Sequence, residues 1–221
     1  MQRLNIKRDT FSLSVFILLF MSNIGFARAQ TPSSSTHRLV ILGDSLTAGL
    51  GLDLDDSYPS VLQKKLKENE INMSVVNAGV SGDTSAGGLR RLDWLLREPV
   101  DILVVALGGN DGLRGLPVEQ LQENLLAIIR RTQEKYPQAK IILAGMLVPP
   151  NQGKDYASAF QAVFPFVAKS ATVTFIPFLL EGVAGFADKN LADGIHPNQE
   201  GHKIIAETVW KSIAPLLVEK H

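Results

Sequence analysis

Five short apolar runs divide the chain, and within each run the apolar residues are nearly continuous rather than alternating with polar ones. The runs are Leu39–Leu42, Ser74–Asn77, Ile102–Leu107, Lys140–Ala144 and Val173–Pro177. A strand that is covered on one face alternates apolar and polar residues, whereas a strand covered on both faces is apolar throughout. The pattern therefore predicts five strands that are buried between two layers.

Helical periodicity appears between these runs and again after the last one. The helical segments are Pro59–Glu68, Thr84–Leu96, Val118–Tyr136, Tyr156–Lys169 and His202–Leu217. In the third segment, apolar residues recur every three or four positions with charges opposite them. Pro165 is expected to break or kink the fourth helix. Strands that alternate with helices imply right-handed crossovers, so we predict a three-layer α/β/α sandwich with a five-stranded parallel sheet.

The first 29 residues are typical of a secretory signal peptide. Basic residues precede the apolar segment Phe11–Phe20, and the small residues Ala27 and Ala29 form a cleavage site. The apolar segment is shorter than the about 20 residues of a membrane span. The alternative of an uncleaved N-terminal anchor is disfavoured because a cleavage site follows the apolar segment directly. We predict a signal peptide over residues 1–29, a polar leader over 30–36 and one domain over 37–221.

Charge and cysteine content exclude several functional classes. The chain contains 22 basic and 22 acidic residues and no cysteine. Cleavage after Ala29 would remove four basic residues and one acid, which leaves 18 and 21 and a net charge near −3. This balance excludes the basic surface of a nucleic-acid-binding protein. Without cysteine there is no disulfide, thiolate nucleophile or cysteine metal site. An exported domain without disulfides fits the periplasm, with secretion as the alternative.

Polar and glycine residues cluster at the carboxyl ends of the first three predicted strands. These ends are Gly43-Asp44-Ser45, Asn77-Ala78-Gly79 and Gly108-Gly109-Asn110-Asp111. Open parallel sheets bind their ligands outside the carboxyl ends of the strands. We therefore expect the three segments to contribute to one site.

Ser45 is the candidate nucleophile of this site, and a serine hydroxyl needs a base to take its proton. Of the four histidines, His196 lies in the loop Asp193-Gly194-Ile195-His196-Pro197 before the last helix. An aspartate three residues before a histidine can fold back onto the ring, fix its tautomer and stabilise the imidazolium. His202 is interpreted as a surface or core residue, and Asn198 as the N-cap of the last helix.

Three donors are candidates for an oxyanion hole, which stabilises the charge that develops on an attacked carbonyl. They are the backbone N–H groups of Ser45 and Gly79 and the side-chain amide of Asn110. Taken singly, each of these residues is also explained by an ordinary turn or helix cap, and a loop histidine by a structural role. Their joint placement at neighbouring strand ends favours catalysis.

Four short segments resemble, in order, the four blocks of the SGNH, or GDSL, hydrolases. They are Gly43-Asp44-Ser45-Leu46, the isolated Gly79, Gly108-Gly109-Asn110-Asp111 and Asp193-Gly194-Ile195-His196. The stretches Asn77–Thr84 and Leu107–Gly115 are similar to a bacterial periplasmic branch of that family, which contains acyl-CoA thioesterases, lysophospholipases and arylesterases.

The resemblance implies the flavodoxin-like fold of these hydrolases and roles for five residues. Ser45 would be the nucleophile, His196 the general base and then the general acid, and Asp193 the residue that orients His196. Ser45, Gly79 and Asn110 would supply the oxyanion hole. The family needs no metal or cofactor, and none is expected here. The implied reaction is hydrolysis of carboxylic esters and thioesters through an acyl-serine.

Leu113, Leu147 and Pro149 are predicted to line an apolar groove for the acyl or aryl group of the substrate. The glycines around Leu113 are expected to permit movement of their loop. The alternative is that these residues only pack beneath the loop. The expected partner is a small-molecule ester, thioester or lysolipid, with no nucleic acid and no stable membrane insertion after signal cleavage.

Two other functions stay open at this point. A carbohydrate or peptidoglycan O-acetylesterase would need aromatic and polar residues around the site, but Trp94 and Trp210 lie on helical segments away from the strand ends. A catalytically inactive binding protein would lack the serine, the asparagine or the histidine, and all three are present.

Overall fold

The computed structural model describes residues 37–148 and 153–218, and a five-stranded parallel sheet forms the centre of the protein. The strands are β1 (His37–Gly43), β2 (Met73–Gly79), β3 (Ile102–Ala106), β4 (Lys140–Ala144) and β5 (Thr174–Ile176). They are all parallel and lie in the order β2-β1-β3-β4-β5. The five predicted strands are confirmed, with bounds that differ by at most two residues at either end.

Helices cover both faces of this sheet. They are α1 (Ser45–Ala48), α2 (Tyr58–Glu68), α3 (Ser85–Leu95), α4 (Gly109–Leu113), α5 (Val118–Lys135), α6 (Lys154–Ala171) and α7 (Gln199–Val218), with 3-10 turns at Leu54–Asp56 and Ala187–Lys189. α2 packs against α7, whereas α3, α5 and α6 pack side by side. The chain crosses from β1 to β2 in one direction and from β2 through to β5 in the other. Right-handed crossovers then place the two helix groups on opposite faces, so the predicted sandwich is confirmed.

Burial on both faces explains the continuous apolar sequences of the central strands. Residues Leu39–Leu42 of β1 have no exposed area, and every residue of β3 is buried. β2 lies at the edge of the sheet and is only partly buried, with Asn77 exposed. Because burying one aliphatic side chain contributes roughly 1.5–3 kcal/mol, the central strands supply much of the driving force for folding.

α6 contains Pro165 and continues through it, so the helix is not broken there, which was one of the two outcomes expected from the sequence. Pro165 lies on the exposed face of the helix, while five apolar residues of the opposite face, among them Phe160 and Phe164, are buried in the core. A proline inside a helix costs about 3 kcal/mol. Burial of several large side chains outweighs that cost, so tertiary packing rather than local propensity decides the length of α6.

The start of α7 follows the predicted cap. Asn198 Oδ1 accepts the backbone N–H of Glu200 at 3.0 Å and that of Gly201 at 3.1 Å. These two bonds satisfy donors that have no partner inside the helix. The cap at Asn198 therefore holds the end of the loop that precedes α7 in place.

The predicted signal peptide (residues 1–29) and polar leader (residues 30–36) lie outside the described residues. Over residues 37–148 and 153–218, no helix is long and apolar enough to cross a membrane. The division of the chain at residue 37 stays a prediction.

His202 is a core residue that links three helices. Its side chain is buried, and its Nδ1 accepts the backbone N–H of Tyr58 at 3.0 Å. The two rings stack with 6.1 Å between their centroids. The Tyr58 hydroxyl shares a 2.7 Å hydrogen bond with Thr47 Oγ1. α7, α2 and α1 are thereby connected through buried polar contacts.

Protonation of His202 is expected to destabilise the fold in acidic solution. Burial lowers its pKa to about 4; the charge of Asp56 acts in the opposite direction, and that of His196 lowers it further. The unfolded chain binds this proton near pH 6.5, so the free energy of unfolding falls by up to roughly 3 kcal/mol as the pH drops from about 6.5 to about 4. His202→Gln keeps an acceptor that does not titrate. The free energy of unfolding of this variant, measured by urea unfolding, should therefore fall less than that of wild type between about pH 7 and about pH 4.5.

All other titrating groups are common to the two proteins, so their contributions cancel in this comparison. An identical pH dependence of the free energy of unfolding in wild type and His202→Gln would contradict the assignment.

Candidate active site

The carboxyl ends of β1, β2 and β3 lie side by side. Gly43 of β1 pairs with Gly79 of β2 on one side and with Ala106 of β3 on the other. After β1, the chain forms β2 on one side of β1 and then β3 on its other side. The strand order therefore reverses at β1. The three polar segments that were predicted to form one site are therefore adjacent.

Two glycines allow α1 to pack directly on these strand ends. A Cβ at Gly43 would lie 1.9 Å from Thr47 Oγ1, and a Cβ at Gly79 would lie 2.2 Å from the backbone N of Ala48. Non-bonded heavy atoms do not approach so closely, since their optimal separation is about 3.5–4.0 Å. A side chain at either position would push α1, and Ser45 with it, away from the sheet.

Ser45 is the first residue of α1, which Asp44 caps. Asp44 Oδ1 accepts the N–H of Leu46 at 3.0 Å, and the helix ends at Gly49, whose φ of 78° is left-handed. Ser45 is nearly buried. Its Oγ lies 3.0 Å from Nε2 of His196, a residue 151 positions later in the chain. The structure thus brings the candidate nucleophile and the candidate base into hydrogen-bond contact.

Asp193 fixes both the position and the tautomer of His196. Its Oδ2 lies 2.7 Å from His196 Nδ1, and its Oδ1 accepts the N–H groups of Ile195 and His196, each at 2.9 Å. The hydrogen bonds from His196, the backbone one first, and from Ile195 lower the pKa of Asp193 to about 2. An ionised carboxylate only accepts, so Nδ1 carries the imidazole proton and Nε2 accepts the hydroxyl proton of Ser45.

The loop that carries this pair is closed by hydrogen bonds across its base. The Leu191 N–H donates to the carbonyl of His196 at 2.7 Å, and the Asn198 N–H donates to the carbonyl of Lys189 at 2.9 Å. The first bond involves His196 itself, and the second involves Asn198, two residues later and directly before α7. The ring of His196 is therefore held by its backbone as well as by Asp193.

Asn110 lies in the first turn of α4, with its amide between two acceptors. The chain enters α4 through Gly108, whose φ of 115° lies in the left-handed region. Asn110 Nδ2 donates to the carbonyl of Asp83 at 3.0 Å and to Asp44 Oδ2 at 3.3 Å. Because both neighbours are acceptors, the NH₂ group rather than the amide oxygen must face them. The predicted oxyanion donor thus points towards the residue that precedes Ser45.

The N–H of Gly79 also has a partner within the protein. It donates to Asn77 Oδ1 at 3.0 Å, so the end of β2 folds onto its own side chain. Sequence analysis assigned no role to Asn77. A ligand oxygen that takes this N–H has to replace the Asn77 oxygen or share the donor with it.

Two buried carboxyl groups support the site, and sequence reasoning missed both. Burial raises the pKa of Asp44 to about 6, although hydrogen bonds from Leu46 and Asn110 act in the opposite direction. Asp111 accepts the N–H of Ser85 at 2.8 Å and its hydroxyl at 2.5 Å. Each acid stands directly beside a candidate site residue in the sequence. That adjacency was the only available signal, and ordinary turn chemistry explains it equally well.

Exposed apolar side chains flank the site. Leu113 is 43% and Leu147 is 45% exposed, which argues against the alternative that they only pack beneath the loop. Val80 and Ile195, which adjoin two of the site residues, are 46% and 50% exposed. Pro149, the third predicted groove residue, lies outside the described residues. The described part of the site therefore has an apolar rim.

The segment after Asn110 differs from the sequence interpretation. Residues Gly109–Leu113 form α4, where a loop with glycines that permit movement was expected. A Cβ at Gly112 would lie 2.2 Å from Cγ1 of Val148. The Tyr156 hydroxyl donates to the carbonyl of Leu116 at 2.8 Å and fastens the far end of the segment. Gly112 is therefore needed for close packing, which argues against its interpretation as a point of movement.

A cavity of about 840 Å³ lies at the opposite end of the sheet. It is lined by His37 and Met73, which begin β1 and β2, and by Trp210 of α7. Neither Ser45 nor His196 lines it, so it belongs to a different face of the molecule. In the described ranges, His, Asp and Glu side chains form no group of three or more that could hold a metal ion. We assign no residue to a metal or cofactor.

Comparison with known proteins agrees with this geometry. A sequence model of the GDSL-like Lipase/Acylhydrolase family matches residues 41–204. Esterase TesA of Pseudomonas aeruginosa is 44% identical over 188 residues, which cover 85% of this chain and 92% of TesA. Thioesterase 1/protease 1/lysophospholipase L1 of Escherichia coli is 38% identical over 204 residues, which cover 91% of this chain and 92% of that protein.

Solved structures give the same result. The crystal structure of TesA superposes with a TM-score of 0.78 at 43% identity, and the match covers 81% of this chain and 99% of that one. The family, the fold and the class of ester-hydrolysing enzymes predicted from the sequence are confirmed by these similarities. The chain therefore belongs to the GDSL-like lipase/acylhydrolase family.

Proposed function

We propose that Ser45 is the nucleophile of an acyl hydrolase, that His196 is its general base and then its general acid, and that Asp193 orients His196. The observation that carries this proposal is the series of two hydrogen bonds, 2.7 Å between Asp193 and His196 and 3.0 Å between His196 and Ser45. A serine hydroxyl becomes nucleophilic when a positioned base takes its proton, and this series supplies the base.

In the proposed cycle, Ser45 Oγ attacks the carbonyl carbon of an ester or thioester while its proton moves to His196 Nε2. The N–H groups of Ser45 and Gly79 and the amide of Asn110 stabilise the negative charge on the carbonyl oxygen. Collapse of the tetrahedral intermediate breaks the C–O or C–S bond, and His196 gives its proton to the leaving alcohol or thiol. Water then attacks the acyl-serine by the same route, which releases the acid and restores the Ser45 hydroxyl.

The substrate is proposed to carry an apolar acyl or aryl group. Leu113 and Leu147 expose apolar area next to the site, and such area favours a hydrocarbon partner over a sugar. The names of the relatives, an esterase and a thioesterase/lysophospholipase, support the same range of substrates. Acyl and aryl esters, acyl thioesters and lysolipids are the classes we propose.

The enzyme is proposed to act after export from the cytoplasm. Residues 1–29 have the pattern of a signal peptide, and the domain that follows contains no cysteine. The periplasm is the proposed location, with secretion as the alternative. Lysolipids and environmental esters are accessible there, whereas cytoplasmic acyl-CoA is not. Proton transfer and charge stabilisation come from the named residues, so the proposed cycle uses no metal or cofactor.

Ser45→Ala should abolish hydrolysis, because no other group in the cycle forms the acyl intermediate. We expect kcat for p-nitrophenyl butyrate to fall by about 10⁵- to 10⁶-fold, with thermal unfolding close to that of wild type. Undiminished turnover by the purified variant would refute the assignment of the nucleophile.

The chain-length profile of the wild-type protein should distinguish the three candidate functions. We expect kcat/KM for p-nitrophenyl butyrate or decanoate to exceed that for the acetate, because an apolar groove gains roughly 0.8 kcal/mol per buried CH₂. A maximum at the acetate would favour an O-acetylesterase instead. No turnover of any of the three esters would favour an inactive binding protein.

Asp193→Asn should lower kcat by about 10²-fold and leave KM nearly unchanged, because the imidazole loses the acceptor that fixes its tautomer. A buried aspartate in this role is worth about 10⁴-fold. We expect less here because the Asp193 side chain is 46% exposed and water screens its charge. Its pKa of about 2 keeps it ionised at ordinary assay pH, so its own titration does not shape the pH profile.

Asp188→Asn is the matched control for this variant. Asp188 is 72% exposed, precedes the same loop and pairs only with its neighbour Lys189 among the ion pairs of the described residues. It should keep kcat within about twofold of wild type, as expected for an exposed pair. Near-equal activities of the Asp193 and Asp188 variants would remove Asp193 from the mechanism.

Leu113→Ser should reduce kcat/KM for p-nitrophenyl decanoate by about tenfold and that for the acetate by less than about twofold. The loss of contact with roughly two CH₂ groups accounts for this difference. The acetate serves as an internal control, since its acyl group is too short to use the groove. Equal losses on both esters would show that Leu113 supports the fold of α4 and does not bind the acyl chain.

A further inference from the structure

Arg91, on α3, joins the end of β1 to the loop that follows β2. Its Nε donates to Asp83 Oδ2 at 2.7 Å, and its Nη2 donates to the carbonyl oxygen of Gly43 at 2.9 Å. The two charged side chains are mostly buried, with 22% of Arg91 and 14% of Asp83 exposed. A planar guanidinium that holds two acceptors at once has a defined geometry, unlike a solvated surface pair. We refer to these contacts as the Arg91 bridge.

The Arg91 bridge is connected to the Asn110 amide at both of its ends. At one end, the carbonyl oxygen of Asp83 accepts the amide N–H at 3.0 Å. At the other end, Gly43 is followed by Asp44, whose Oδ2 accepts the amide at 3.3 Å. The two acceptors of Asn110 are therefore linked through the Arg91 bridge, and the Val80 N–H, which donates to the Gly43 carbonyl at 3.1 Å, adds a second contact at the same end.

The Asp83 carboxylate depends on Arg91 because it is enclosed. Its Oδ1 lies only 2.0 Å from the position that a Cβ on Gly87 would take, so the carboxylate packs directly against α3. Removing one partner of a mostly buried ion pair leaves an uncompensated charge, which is costly. Without Arg91 this carboxylate has to turn towards water or towards other donors. The Asp83 carbonyl, on the same residue, then moves away from the Asn110 amide.

Two fixed acceptors are what an asparagine side chain needs to keep one orientation. The terminal torsion of asparagine has a broad, roughly twofold preference, so packing alone does not define which way the amide faces. An oxyanion donor has to be aimed before the charge develops, since reorientation during the reaction adds to the barrier. The 3.0 Å bond to the Asp83 carbonyl holds one N–H of the Asn110 amide, and the second N–H, whose contact with Asp44 Oδ2 is longer at 3.3 Å, is the one that an oxyanion can take over.

We propose that Arg91 is a positioning residue for the oxyanion hole. The Arg91 bridge holds the Asp83 carbonyl and the Asp44 carboxyl at the spacing that directs the Asn110 amide to the substrate carbonyl. This inference rests on the proposed role of Asn110 as an oxyanion donor. Arg91 itself does not touch the reacting atoms and acts through Asn110.

Arg90 provides a matched control on the same helix. It is exposed, and within the described ranges its side chain makes no hydrogen bond or ion pair. Replacement of Arg90 removes the same charge at almost the same place and leaves the Arg91 bridge intact. A difference between variants of Arg90 and Arg91 therefore reports the bridge rather than net charge.

The experiment compares Arg91→Met, Arg91→Lys and Arg90→Met with p-nitrophenyl butyrate as substrate. Arg91→Met should lower kcat by about 10- to 100-fold and change KM by less than about threefold, because a misdirected donor weakens binding of the transition state more than of the substrate. Arg91→Lys keeps the charge without the planar fork and should give an intermediate kcat. Arg90→Met should keep the wild-type kcat. A wild-type kcat in Arg91→Met would overturn the proposal.

A double-mutant cycle with Asn110→Ala separates positioning of the amide from a general structural role. If Arg91 acts through Asn110, Arg91→Met costs less than about threefold once the amide is absent. Equal losses with and without the amide would overturn the proposal. Thermal unfolding is measured for every variant, and if Arg91→Met does not fold, Arg91→Lys replaces it in the cycle and is judged by the same two outcomes.

Failure of the proposed function would be distinguishable from failure of this inference. If the chain is not a serine hydrolase, wild-type protein lacks activity or Ser45→Ala keeps it. If only the inference fails, wild-type protein is active, Ser45→Ala is inactive, and the Arg91 variants retain the wild-type kcat or lose activity independently of Asn110.

Discussion

The site depends on the close contact between α1 and the two glycines at the ends of β1 and β2. Gly43 and Gly79 leave the space that Thr47 and Ala48 occupy. Because α1 is a single turn that begins directly after β1, this contact determines how closely the turn packs on the sheet. A larger side chain at either glycine would displace the whole turn before it altered any functional group. Close packing at the strand ends is therefore a condition for the correct position of the functional groups.

The buried acids beside Ser45 and Asn110 in the sequence form hydrogen bonds that connect several elements of the site. Asp44 connects α1 and α4, since one carboxyl oxygen caps α1 and the other accepts from Asn110. Asp111 ties α4 to the start of α3 through Ser85. In the part of the chain that the structure describes, no buried side-chain nitrogen or oxygen lacks a hydrogen-bond partner. A fully satisfied network of this kind is rigid, which favours a site that is organised before substrate binds.

Features that follow from sequence neighbours, from the order of the strands or from the family motifs could be predicted, whereas contacts between distant residues outside those motifs could not. Apolar runs define the strands, and the spacing of Asp193 and His196 indicates their contact, because the two residues are three apart. Arg91, by contrast, bonds to Gly43 from 48 residues away, and His202 accepts the N–H of Tyr58 from 144 residues away. No local pattern distinguishes Arg91 from Arg90. The continuity of α6 also depends on distant partners, because burial of its side chains in the core outweighs the local effect of Pro165.

Two of the proposed oxyanion donors already have partners in the protein: the N–H of Gly79 bonds to Asn77, and the amide of Asn110 bonds to Asp83 and Asp44. A neutral ester carbonyl is a weaker acceptor than an oxyanion, so it gains little by displacing these oxygens. The charged intermediate gains more and can take the donors for itself. In the proposed cycle, the internal acceptors would act as a threshold that the bound ester does not cross and the tetrahedral anion does. Such competition makes the same donors selective for the transition state over the ground state.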